Sequence, residues 1–548
     1  MAQPIRAETV GELVRNAADT WGDADAVVGN GTRLTFGQLE ERSRALGQRL
    51  LGRGVAKHTH VGVSFGNNPD FILSLLAVAR IGAVAVPLST FAPGRELLRL
   101  LRYGDLAAVL TSRSVVGVDQ VDRLGAAVPG LVEAKGPILA LPSVPNLRWI
   151  EFVDFDDEVP PWATGPDDDG LGVAVDDELF DAVEADVAPT DVAPTDVALM
   201  IHTSGTTADP KGVPHVHDTV CFRSAYLTEK MQYAPGDRTY TSQVLFWIGG
   251  LTMSLFTSIA AGGTSVWLER FEPGEVLSVI EAERITRLVI YPHQTEQLLA
   301  HPDFGRTDRS SLLIADPRVR GDGVASQFGT AAGGIKTPEG LRMALGMSET
   351  FGPWSWGTGG NSPMAPVQDV QPGLEVRVVD ERNQPVADGE TGEMVLRGRC
   401  VTPGYYKRPR SFAFDAAGWF HTGDRAQVDG ESIHFLGRMT EMIKTSGANV
   451  APAEVIEALL ALHGVQEAYV LPLPDPVRGE AVGAAVVLAE GSALDADTIK
   501  AVLRHDLSPF KIPTVIVVFT SEQIPWTPTF KVRRGQLTQM IQAYAAAV

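Results

Sequence analysis

Two short apolar runs on either side of a helical pattern constrain the fold of this chain more than any other feature. HVGVSF and AVAVPL, which start at His60 and Ala83, flank the segment FILSLLAVARIG. Such uninterrupted runs are typical of strands that are buried on both faces, as in a parallel sheet. Parallel neighbours need a crossover helix, and that crossover is almost always right-handed. The pattern predicts a βαβ unit and an α/β fold, with a parallel sheet covered by helices.

The helix before this unit is marked at both ends. The segment TFGQLEERSRALGQRLLGRGV opens with a capping box between Thr35 and Gln38, places leucines along one stripe and stops at Gly54. We expect a single amphipathic helix here.

Length and a late change of pattern predict two domains. A chain of 548 residues exceeds the size at which one hydrophobic core keeps growing. Near Gly437 the pattern changes, and the sequence beyond it has helix and strand signals of its own, such as EVIEALLAL and AVGAAVVLAEG. We predict a large N-terminal domain, residues 1–437, of parallel-rich sheets packed with helices. A small, mobile α+β C-terminal domain follows, residues 438–548.

The excess of acidic residues argues against nucleic acid as a partner. The chain has 46 basic and 67 acidic residues, for a formal net charge of −21, and such a field repels phosphate backbones. Its cysteines, Cys221 and Cys400, are too few for a disulfide framework and too far apart in sequence for a metal-ligand spacing. We interpret both as bystanders in a reducing cytosol, and we expect a cytoplasmic protein.

The uncharged segments do not predict a membrane protein. The N-terminus lacks an apolar stretch of signal-peptide length. Residues Thr239 to Leu268 carry no charge over roughly the length of a membrane helix, but the pairs Gly249-Gly250 and Gly262-Gly263 divide them. We expect a strand, a helix of about three turns and a second strand in a buried core, rather than a transmembrane segment.

One segment differs in composition from the rest. From Asp154 to Asp196 the sequence is acidic, contains Pro and Gly, and includes a tandem DVAPT repeat. Such sequences bury too little apolar surface to fold on their own. We interpret the segment as an exposed, mobile insertion.

A loop of small and hydroxylated residues indicates phosphate binding. TSGTTADPKG, Thr203 to Gly212, follows the apolar strand VALMI. Its residues let the backbone bend tightly and turn N–H and O–H groups inward, while Lys211 adds a positive charge. It differs from the GxxxxGKS/T loop of common nucleotide hydrolases, because its hydroxyls come first and a glycine follows the lysine. On composition alone, an ordinary Ser/Thr-rich turn remains the alternative.

This loop resembles the signature of the adenylate-forming superfamily of acyl-CoA synthetases, luciferases and peptide-synthetase adenylation domains. Further segments resemble motifs of the same family, in the same order and over nearly the whole chain. They are LGMSET (345–350), GEMVLRGRCVTPGYYKRP (392–409), WFHTGD (419–424), GRMTEMIKTSGANVAPAEV (437–455) and PWTPTFK (525–531). The resemblance implies an enzyme that uses ATP to convert a carboxylic acid into its acyl-adenylate and then passes the acyl group to coenzyme A.

The resemblance also implies roles for single residues. Glu349 matches the glutamate that helps hold Mg²⁺ on ATP, which suits a hard cation. Lys531 matches the lysine that contacts the reacting carboxylate and the α-phosphate, and together with Glu349 and Thr206 it forms the predicted catalytic set. Asp424 and Arg438 match the residues that contact the ribose hydroxyls. The predicted nucleotide-binding residues are Thr203, Ser204, Gly205, Thr206, Thr207, Lys211, Gly346, Met347, Ser348, Asp424 and Arg438.

In the family, the C-terminal domain rotates between the two half-reactions. Thr440 falls at the hinge of that rotation. Lys444, Ser446, Gly447 and Ala448 match the segment that lines the thiol channel, where Gly447 gives pantetheine close access to the backbone.

Some residues depart from the family pattern. They are Ala208 in the phosphate loop, Leu345 where an aromatic residue often stacks on adenine, Thr440 where the hinge usually has Asp or Lys, and Phe530 before the catalytic lysine. None removes a charged group with a known role. No segment matches the one that frames the adenine, so the adenine contacts are left unassigned.

The substrate is less well defined by the sequence. VLFWIGGLT resembles the family segment beside the acyl pocket, which predicts that Phe246, Trp247 and Gly249 line it, with Trp247 where a His is frequent. A large indole there narrows or caps the tunnel. We expect an apolar monocarboxylic acid that is fatty, alicyclic or sterol-derived.

Three histidines, His215, His217 and His293, are candidates for approaching a pocket. A solitary histidine is more often structural. We therefore keep only those in the loop after Lys211 as candidates.

Two alternatives stay open beside a carboxylate–CoA ligase. One is an enzyme that loads its acyl-adenylate onto a separate carrier protein, and the other is a non-catalytic protein that retains nucleotide affinity. The predicted partners are ATP, Mg²⁺, coenzyme A and a small-molecule carboxylic acid. The oligomeric state, a homo-oligomer included, is not defined by the sequence.

Overall fold

The structure is a computed structural model. It describes residues 3–92, 94–154, 159–165, 192–203, 211–320, 342–357, 366–439, 442–445, 448–450, 452–475, 479–507, 511–527 and 532–547. Most of the acidic segment between Asp154 and Asp196 lies outside the described residues, so its interpretation as a mobile insertion stays a prediction.

The helices are numbered along the chain. They are α1 Val10–Trp21, α2 Phe36–Gly52, α3 Pro69–Arg80, α4 Gly94–Tyr103, α5 Gln120–Ala127, α6 His217–Lys230, α7 Ile248–Gly250, α8 Phe256–Ala261, α9 Pro273–Ala282, α10 Pro292–Ala300, α11 Pro317–Arg320, α12 Pro452–Leu460, α13 Ala496–Asp506 and α14 Arg534–Ala547.

The strands are numbered in the same way. They are β1 Asp25–Gly29, β2 Thr32–Thr35, β3 His60–Ser64, β4 Val84–Pro87, β5 Ala108–Thr111, β6 Ser114–Val115, β7 Val118–Asp119, β8 Trp149–Phe152, β9 Val197–Thr203, β10 Lys211–Val216, β11 Arg238–Thr241, β12 Thr264–Trp267, β13 Arg287–Val289, β14 Arg342–Met347, β15 Gly352–Gly357, β16 Pro366–Val370, β17 Leu374–Val379, β18 Thr391–Gly398, β19 Phe420–Asp429, β20 Ser432–Arg438, β21 Ile443–Thr445, β22 Ala448–Val450, β23 Val465–Asp475, β24 Gly479–Leu488 and β25 Val515–Phe519.

The chain forms two compact units. The first unit comprises Met1–Trp354 and Arg399–Phe412, and the second comprises Ser355–Gly398 and Ala413–Val548. A large N-terminal part and a smaller C-terminal part, built of helices and mixed sheets, confirm the predicted α/β class. The boundary at residue 437 stays a prediction.

Two sheets form the centre of the first unit. Their strand orders are β13-β11-β12-β1-β2 and β10-β9-β4-β3-β5-β8. All neighbours in them are parallel, except β1 with β2 and β9 with β10. The parallel-rich sheets predicted from the apolar runs are therefore present.

The predicted βαβ unit is confirmed as β3, α3 and β4. His60 of β3 pairs with Val84 of β4 in a parallel register, and α3 connects the strands. The capping box before α2 is also confirmed, because Thr35 and Gln38 exchange side-chain-to-backbone hydrogen bonds of 3.1 and 3.2 Å. Gly54, just beyond α2, has the left-handed φ of +78° that ends such a helix.

The uncharged segment from Thr239 to Leu268 folds as a buried strand, helix and strand. Strand β11 is followed by α7, a π-helical turn over Leu251–Leu255, α8 and then β12. Thr257 donates a side-chain hydrogen bond to the backbone carbonyl of Thr252 within this helical run. Among the described residues, no helix is long and apolar enough to cross a membrane.

Gly262, which ends α8, is expected to tolerate no side chain. Its φ is +73°, and a Cβ there would lie 2.5 Å from the ring of Trp21. Gly262→Ala should lower the free energy of unfolding by about 2–4 kcal/mol, because left-handed strain and overpacking act together. Gly236→Ala is the matched control, since its φ is +83° but a Cβ would meet nothing within 4 Å. Denaturant titrations that gave equal losses for both variants would contradict the packing argument.

An antiparallel sheet begins the second unit. Its strand order is β14-β15-β16-β20-β19-β18-β17, and the neighbours from β15 to β17 are antiparallel. Strands β19 and β20 form its best-defined hairpin, with a register that runs from Asp424 opposite Arg438 to Asp429 opposite Ser432. This hairpin carries the two residues predicted to bind ribose.

A further sheet of β21 to β25 has apolar side chains on both faces. Leu459 of α12 and Leu503 of α13 belong to one buried cluster, whereas Leu537 and Ile541 of α14 belong to another. The segments EVIEALLAL and AVGAAVVLAEG thus form the predicted helix, α12, and the predicted strand, β24.

Candidate functional site

One group of predicted nucleotide-binding residues lies at the hairpin of β9 and β10, in the first unit. Thr203 ends β9 directly opposite Lys211, which begins β10. The predicted phosphate loop connects these two residues. Its remaining members, Ser204, Gly205, Thr206, Thr207 and Ala208, lie outside the described residues, so their roles stay predictions.

Lys211 lies over two aromatic rings. Its Nζ atom is 5.0 Å from the centroid of Tyr405 and 5.6 Å from that of Phe412, and these rings meet edge to face with centroids 5.9 Å apart. The ring faces attract the ammonium electrostatically. Lys211 is thereby held in a defined place at the exit of the predicted phosphate loop.

Glu349 lies in a short turn between β14 and β15. Its Oε1 atom accepts a 2.7 Å hydrogen bond from the Tyr405 hydroxyl, and its backbone oxygen accepts another, also 2.7 Å, from the Thr402 N–H. Tyr405 therefore contacts the predicted metal ligand through its hydroxyl and the predicted phosphate ligand through its ring.

The carboxylate of Glu349 fits the magnesium role that the sequence predicts. The residue is half-buried, and its Oε2 atom has no polar contact within the described part of the chain. Mg²⁺ in nucleotide sites is commonly held by one or two carboxylates together with phosphate oxygens.

The segment before Glu349 is tightly packed against the strand that follows it. Gly346, Met347 and Ser348 lead into the turn, and a Cβ on Gly346 would lie 2.8 Å from the Cα atom of Pro353. Only a glycine lets the two backbones approach so closely. The close approach keeps these predicted nucleotide-binding residues beside Glu349.

A separate group of predicted nucleotide-binding residues lies in the second unit. Arg438 of β20 and Asp424 of β19 are cross-strand partners, with Arg438 Nε 3.0 Å from Asp424 Oδ1. Arg438 also donates to the Thr422 carbonyl at 2.7 Å, and Thr422 Oγ1 accepts from the Asp424 N–H at 3.0 Å. The acid is buried and the arginine half-exposed, so the pair presents a fixed acceptor and a fixed donor, as contact with ribose hydroxyls requires.

The predicted hinge and thiol-channel residues are only partly described. Lys444 lies in β21 opposite Asn449, and Ala448 lies in β22 opposite Thr445. Thr440, Ser446 and Gly447 lie outside the described residues, so the hinge and the channel stay predictions.

The loop that carries the predicted catalytic lysine is closed at its base. An antiparallel bridge joins Trp526 to Val532, and the N–H of Arg533 donates to the carbonyl of Pro525 at 2.8 Å. Phe530 and Lys531 fall inside this loop and outside the described residues.

Two of the predicted acyl pocket residues, Phe246 and Trp247, form an aromatic cluster with Phe91. The Phe246 ring lies 5.3 Å from Trp247 and 5.3 Å from Phe91, edge to face in both pairs. Phe91, which the sequence analysis did not select, is 40% exposed and lies 6.0 Å from Trp247. Gly249 packs against Gln243, since a Cβ would lie 2.0 Å from the Gln243 Oε1 atom.

A buried amide fixes the segment that carries these aromatic residues. Asn67 donates from Nδ2 to the Gln243 carbonyl at 3.1 Å and accepts at Oδ1 from the Leu245 N–H at 2.9 Å. Asn67 is 5% exposed. Its two bonds define the path of the chain into Phe246 and Trp247.

The histidines after Lys211 are interior residues. His215 is buried with its ring 4.8 Å from that of Phe351. His217 is also buried, and its Nδ1 atom accepts a 3.1 Å hydrogen bond from the Val10 N–H at the start of α1. Neither lies at an exposed position, and the side chain of His293 lies outside the described ones.

Protonation of three histidines, His202, His215 and His217, should destabilise the fold. Burial lowers the pKa of His217 to about 4, that of His202 to about 4 and that of His215 to about 3. Between those values and about 6.5 the unfolded chain binds more protons than the folded chain, so stability falls as the pH falls. His217→Asn keeps an acceptor for the Val10 N–H. Between pH 7 and pH 5, the free energy of unfolding of this variant should fall by on the order of 1–2 kcal/mol less than that of the native protein. Urea titrations at both pH values measure this, and an unchanged loss would exclude His217 as a source.

The cysteines are also in the interior. Cys221 and Cys400 are both buried and unoxidised, and burial raises the pKa of both thiols. A raised pKa disfavours the nucleophilic thiolate, which supports their interpretation as bystanders.

Comparison with known proteins gives matches along most of the chain. Residues 14–406 match the model of the AMP-binding enzyme family, and residues 454–531 match that of the AMP-binding enzyme C-terminal domain. A feruloyl-CoA synthase of Amycolatopsis sp is 30% identical over 523 residues, which cover 94% of this chain and 95% of that protein. A sulfoacetate–CoA ligase of Cupriavidus necator is 27% identical over 552 residues and covers 98% of each. The ATP-bound crystal structure of MatB from Rhodopseudomonas palustris superimposes with a TM-score of 0.72 at 22% identity, covering 97% of this chain and 99% of that one.

Proposed function

Because the chain belongs to the AMP-binding enzyme family, we propose that it activates an apolar monocarboxylic acid as the acyl-adenylate and then transfers the acyl group to coenzyme A. As a member of that family it is an acid–thiol ligase, an AMP-forming acyl-CoA synthetase. The proposal concerns the kind of acid and the residues that act on it.

One observation carries the assignment of the residues in the first unit. Tyr405 is in contact with Lys211 through its ring and with Glu349 through its hydroxyl, at 5.0 Å and 2.7 Å respectively. A cation for phosphate and a carboxylate for the metal that accompanies phosphate are thus gathered at the end of the predicted loop. This combination suits a bound nucleoside triphosphate.

Adenylation follows from the chemistry of the groups. A carboxylate oxygen of the substrate acid forms a bond to the α-phosphorus of ATP, and the bond from that phosphorus to the bridging oxygen of pyrophosphate breaks. When bound, Mg²⁺ neutralises phosphate charge and so favours the departure of pyrophosphate. Lys211 and Glu349 hold the phosphate end in this proposal, and Lys531 stabilises the negative charge at the α-phosphate.

The ribose end is assigned to the pair in the second unit. Asp424 accepts from the ribose hydroxyls, and Arg438, whose side chain is 46% exposed, donates to them.

Thioester formation completes the reaction. The sulfur of coenzyme A attacks the acyl carbon of the adenylate, the bond from that carbon to the AMP oxygen breaks, and the thiol proton is released to solvent. Lys444, Ser446, Gly447 and Ala448 are the proposed channel residues for the pantetheine arm. A chain with two cysteines has too few for a disulfide framework, which suits a reducing compartment, and we place the reaction in the cytoplasm.

The aromatic cluster supports an apolar acid. Phe91, Phe246 and Trp247 present ring edges and faces to one another, and such surfaces bind apolar bodies through area burial and ring contacts. The relatives act on acids of differing polarity, by their names ferulate and sulfoacetate, so the acid has to be identified by experiment.

The test is pyrophosphate release with Mg·ATP against aliphatic, aromatic, alicyclic, sterol-derived and sulfonated acids, each with and without coenzyme A. We expect sustained release only with an apolar acid and coenzyme A together. A single burst that coenzyme A does not extend would instead favour transfer to a carrier protein. No release with any acid, by protein that binds ATP in calorimetry, would favour the non-catalytic alternative. Turnover restricted to sulfonated acids would overturn the apolar assignment alone.

A further inference from the structure

Arg223 is a buried arginine whose hydrogen bonds go to backbone carbonyls. It lies on α6 and has no exposed surface. Its Nε atom donates to the carbonyl of Phe351 at 3.2 Å, and its Nη2 atom donates to the carbonyl of Pro353. Both acceptors belong to the chain that directly follows Glu349.

Placing an arginine there is costly. Within the described part of the chain, its guanidinium makes no ion pair, and it lies 5.2 Å from the centroid of the Tyr226 ring. Burial lowers its pKa to about 10, because the charged form loses its hydration. A neutral residue would fill the same space without this desolvation, so the donor fork itself is the useful feature.

The carbonyls that Arg223 binds lie in an unusual turn. Phe351 has a φ of +51°, and Gly352 has a φ of +101°, both in the left-handed half of conformational space. The Thr350 hydroxyl adds a 2.9 Å hydrogen bond to the Gly352 carbonyl. Such a turn persists only when its surroundings hold it, and Arg223 binds the carbonyls on both sides of Gly352.

Helix α6 also binds the segment that contains the hydrogen-bond partners of Glu349. Asp218 and Arg399 form a two-point ion pair, of which the Nε to Oδ2 distance is 2.6 Å. Thr219 donates to the Arg399 carbonyl at 3.1 Å. Arg399 begins the segment that supplies Thr402 and Tyr405, the two partners of Glu349.

We propose that Arg223 is a positioning residue that fixes the direction of the Glu349 carboxylate and thereby sets the affinity for the magnesium–nucleotide complex. It touches neither nucleotide nor metal. It acts through the turn at 350–353, while Asp218 and Thr219, at the start of the same helix, bind Arg399 in the segment that carries Tyr405. The inference rests on the proposed metal role of Glu349.

The test compares Arg223→Lys with Arg287→Lys. Arg287 is the control, because it is also buried and donates to two backbone carbonyls, those of Met231 and Gln232. It differs from Arg223 in its ion pair with Asp237, and its partners lie outside the turn at 350–353. Calorimetry measures binding of a non-hydrolysable ATP analogue with and without Mg²⁺. Mg²⁺ should increase the affinity for the analogue, and we call this increase the gain from Mg²⁺. We expect Arg223→Lys to reduce the gain from Mg²⁺ by about 10- to 100-fold, as for other residues that orient a metal ligand. Affinity without the metal and the KM for the acid should stay unchanged.

The outcomes separate this inference from the proposed function. Arg287→Lys should lower Tm and leave the gain from Mg²⁺ intact, and equal losses of that gain in both variants would reduce Arg223 to a structural role. Loss of the gain in Glu349→Gln but not in Arg223→Lys would overturn the positioning role alone. Retention of the gain in Glu349→Gln would overturn the metal role on which the inference rests.

A second variant covers the case in which Arg223→Lys does not fold. Gly352→Ala leaves Arg223 in place but forces a Cβ into a residue with a φ of +101°, 3.0 Å from Thr252 Oγ1. It should shift the turn and reproduce the loss of the gain from Mg²⁺. A folded Gly352→Ala protein with the full gain would contradict the proposal.

Discussion

Glu349→Gln is expected to slow pyrophosphate release by about 10²- to 10³-fold, since the stabilisation of phosphate charge supplies several kcal/mol in such reactions. The amide has nearly the same volume as the carboxylate and can still accept the 2.7 Å hydrogen bond from Tyr405. It carries no charge, however, and is a poor ligand for Mg²⁺. The fold should therefore survive while the metal-dependent step fails.

The measurement is the initial rate of pyrophosphate release at saturating acid, over a range of Mg²⁺ concentrations. The Glu349→Gln enzyme should recover partly at high Mg²⁺, whereas a variant that is merely unfolded would not. Glu40→Gln is the control, because Glu40 is also a partly buried carboxylate, paired with Arg80 at 2.5 Å, and no role in the site is assigned to it. A Glu349→Gln enzyme with the normal rate and the normal Mg²⁺ dependence would refute the metal assignment.

Asp424→Ala is expected to raise the KM for ATP by about 10- to 100-fold, the range for losing hydrogen bonds to a charged group. Deoxyribose analogues sharpen the test. The native enzyme should discriminate against 2′,3′-dideoxy-ATP, and Asp424→Ala should lose most of that discrimination, because the acceptor that reads the hydroxyls is absent. The loss of the Arg438 pair should itself cost little stability, since the arginine side chain is 46% exposed and the pair is partly screened by solvent.

Asp429→Ala is the control for Asp424→Ala. Asp429 ends the same strand, β19, but its side chain is 77% exposed. Its replacement by alanine should leave the KM for ATP and the discrimination against dideoxy-ATP unchanged. If Asp424→Ala weakened ATP and its dideoxy analogue by the same factor, the carboxylate would affect nucleotide binding without contacting the ribose.

Local patterns predicted local structure well. Helix α2 begins at its capping box and ends before Gly54, and the runs around His60 and Ala83 form parallel strands, because capping and apolar periodicity act over a few residues. The uncharged segment after Thr239 also divides at its glycines as expected. Its π-helical turn was not predicted, since nothing in the spacing of apolar residues marks a turn of that kind.

The contacts around Glu349 could not be predicted in this way. Tyr405 lies 56 residues from Glu349 along the chain, and Arg223 lies 128 residues from Phe351. No periodicity connects such positions, so their contacts appear only when the fold brings them together. The quoted segment GYYKRP did contain Tyr405, and its place in a matched motif was the available signal.

The assignment of other site residues depends on the resemblance to the family alone. The hydroxyl-rich loop after Thr203, the hinge at Thr440 and the catalytic Lys531 were all selected by motif matches, and they lie outside the described residues. Their roles stay predictions that mutagenesis has to test.

The sheet of β21 to β25 has a consequence for how this family can diversify. Val470 and Leu471, neighbours on β23, belong to different buried clusters, and helices of the same stretch of sequence cover both. Such a segment brings its own apolar partners with it, so recombination between related genes can exchange it without leaving a core half-filled. We therefore expect recombination crossovers to be tolerated best just before β21. Selection should then act on the surface residues of the exchanged segment rather than on its buried ones.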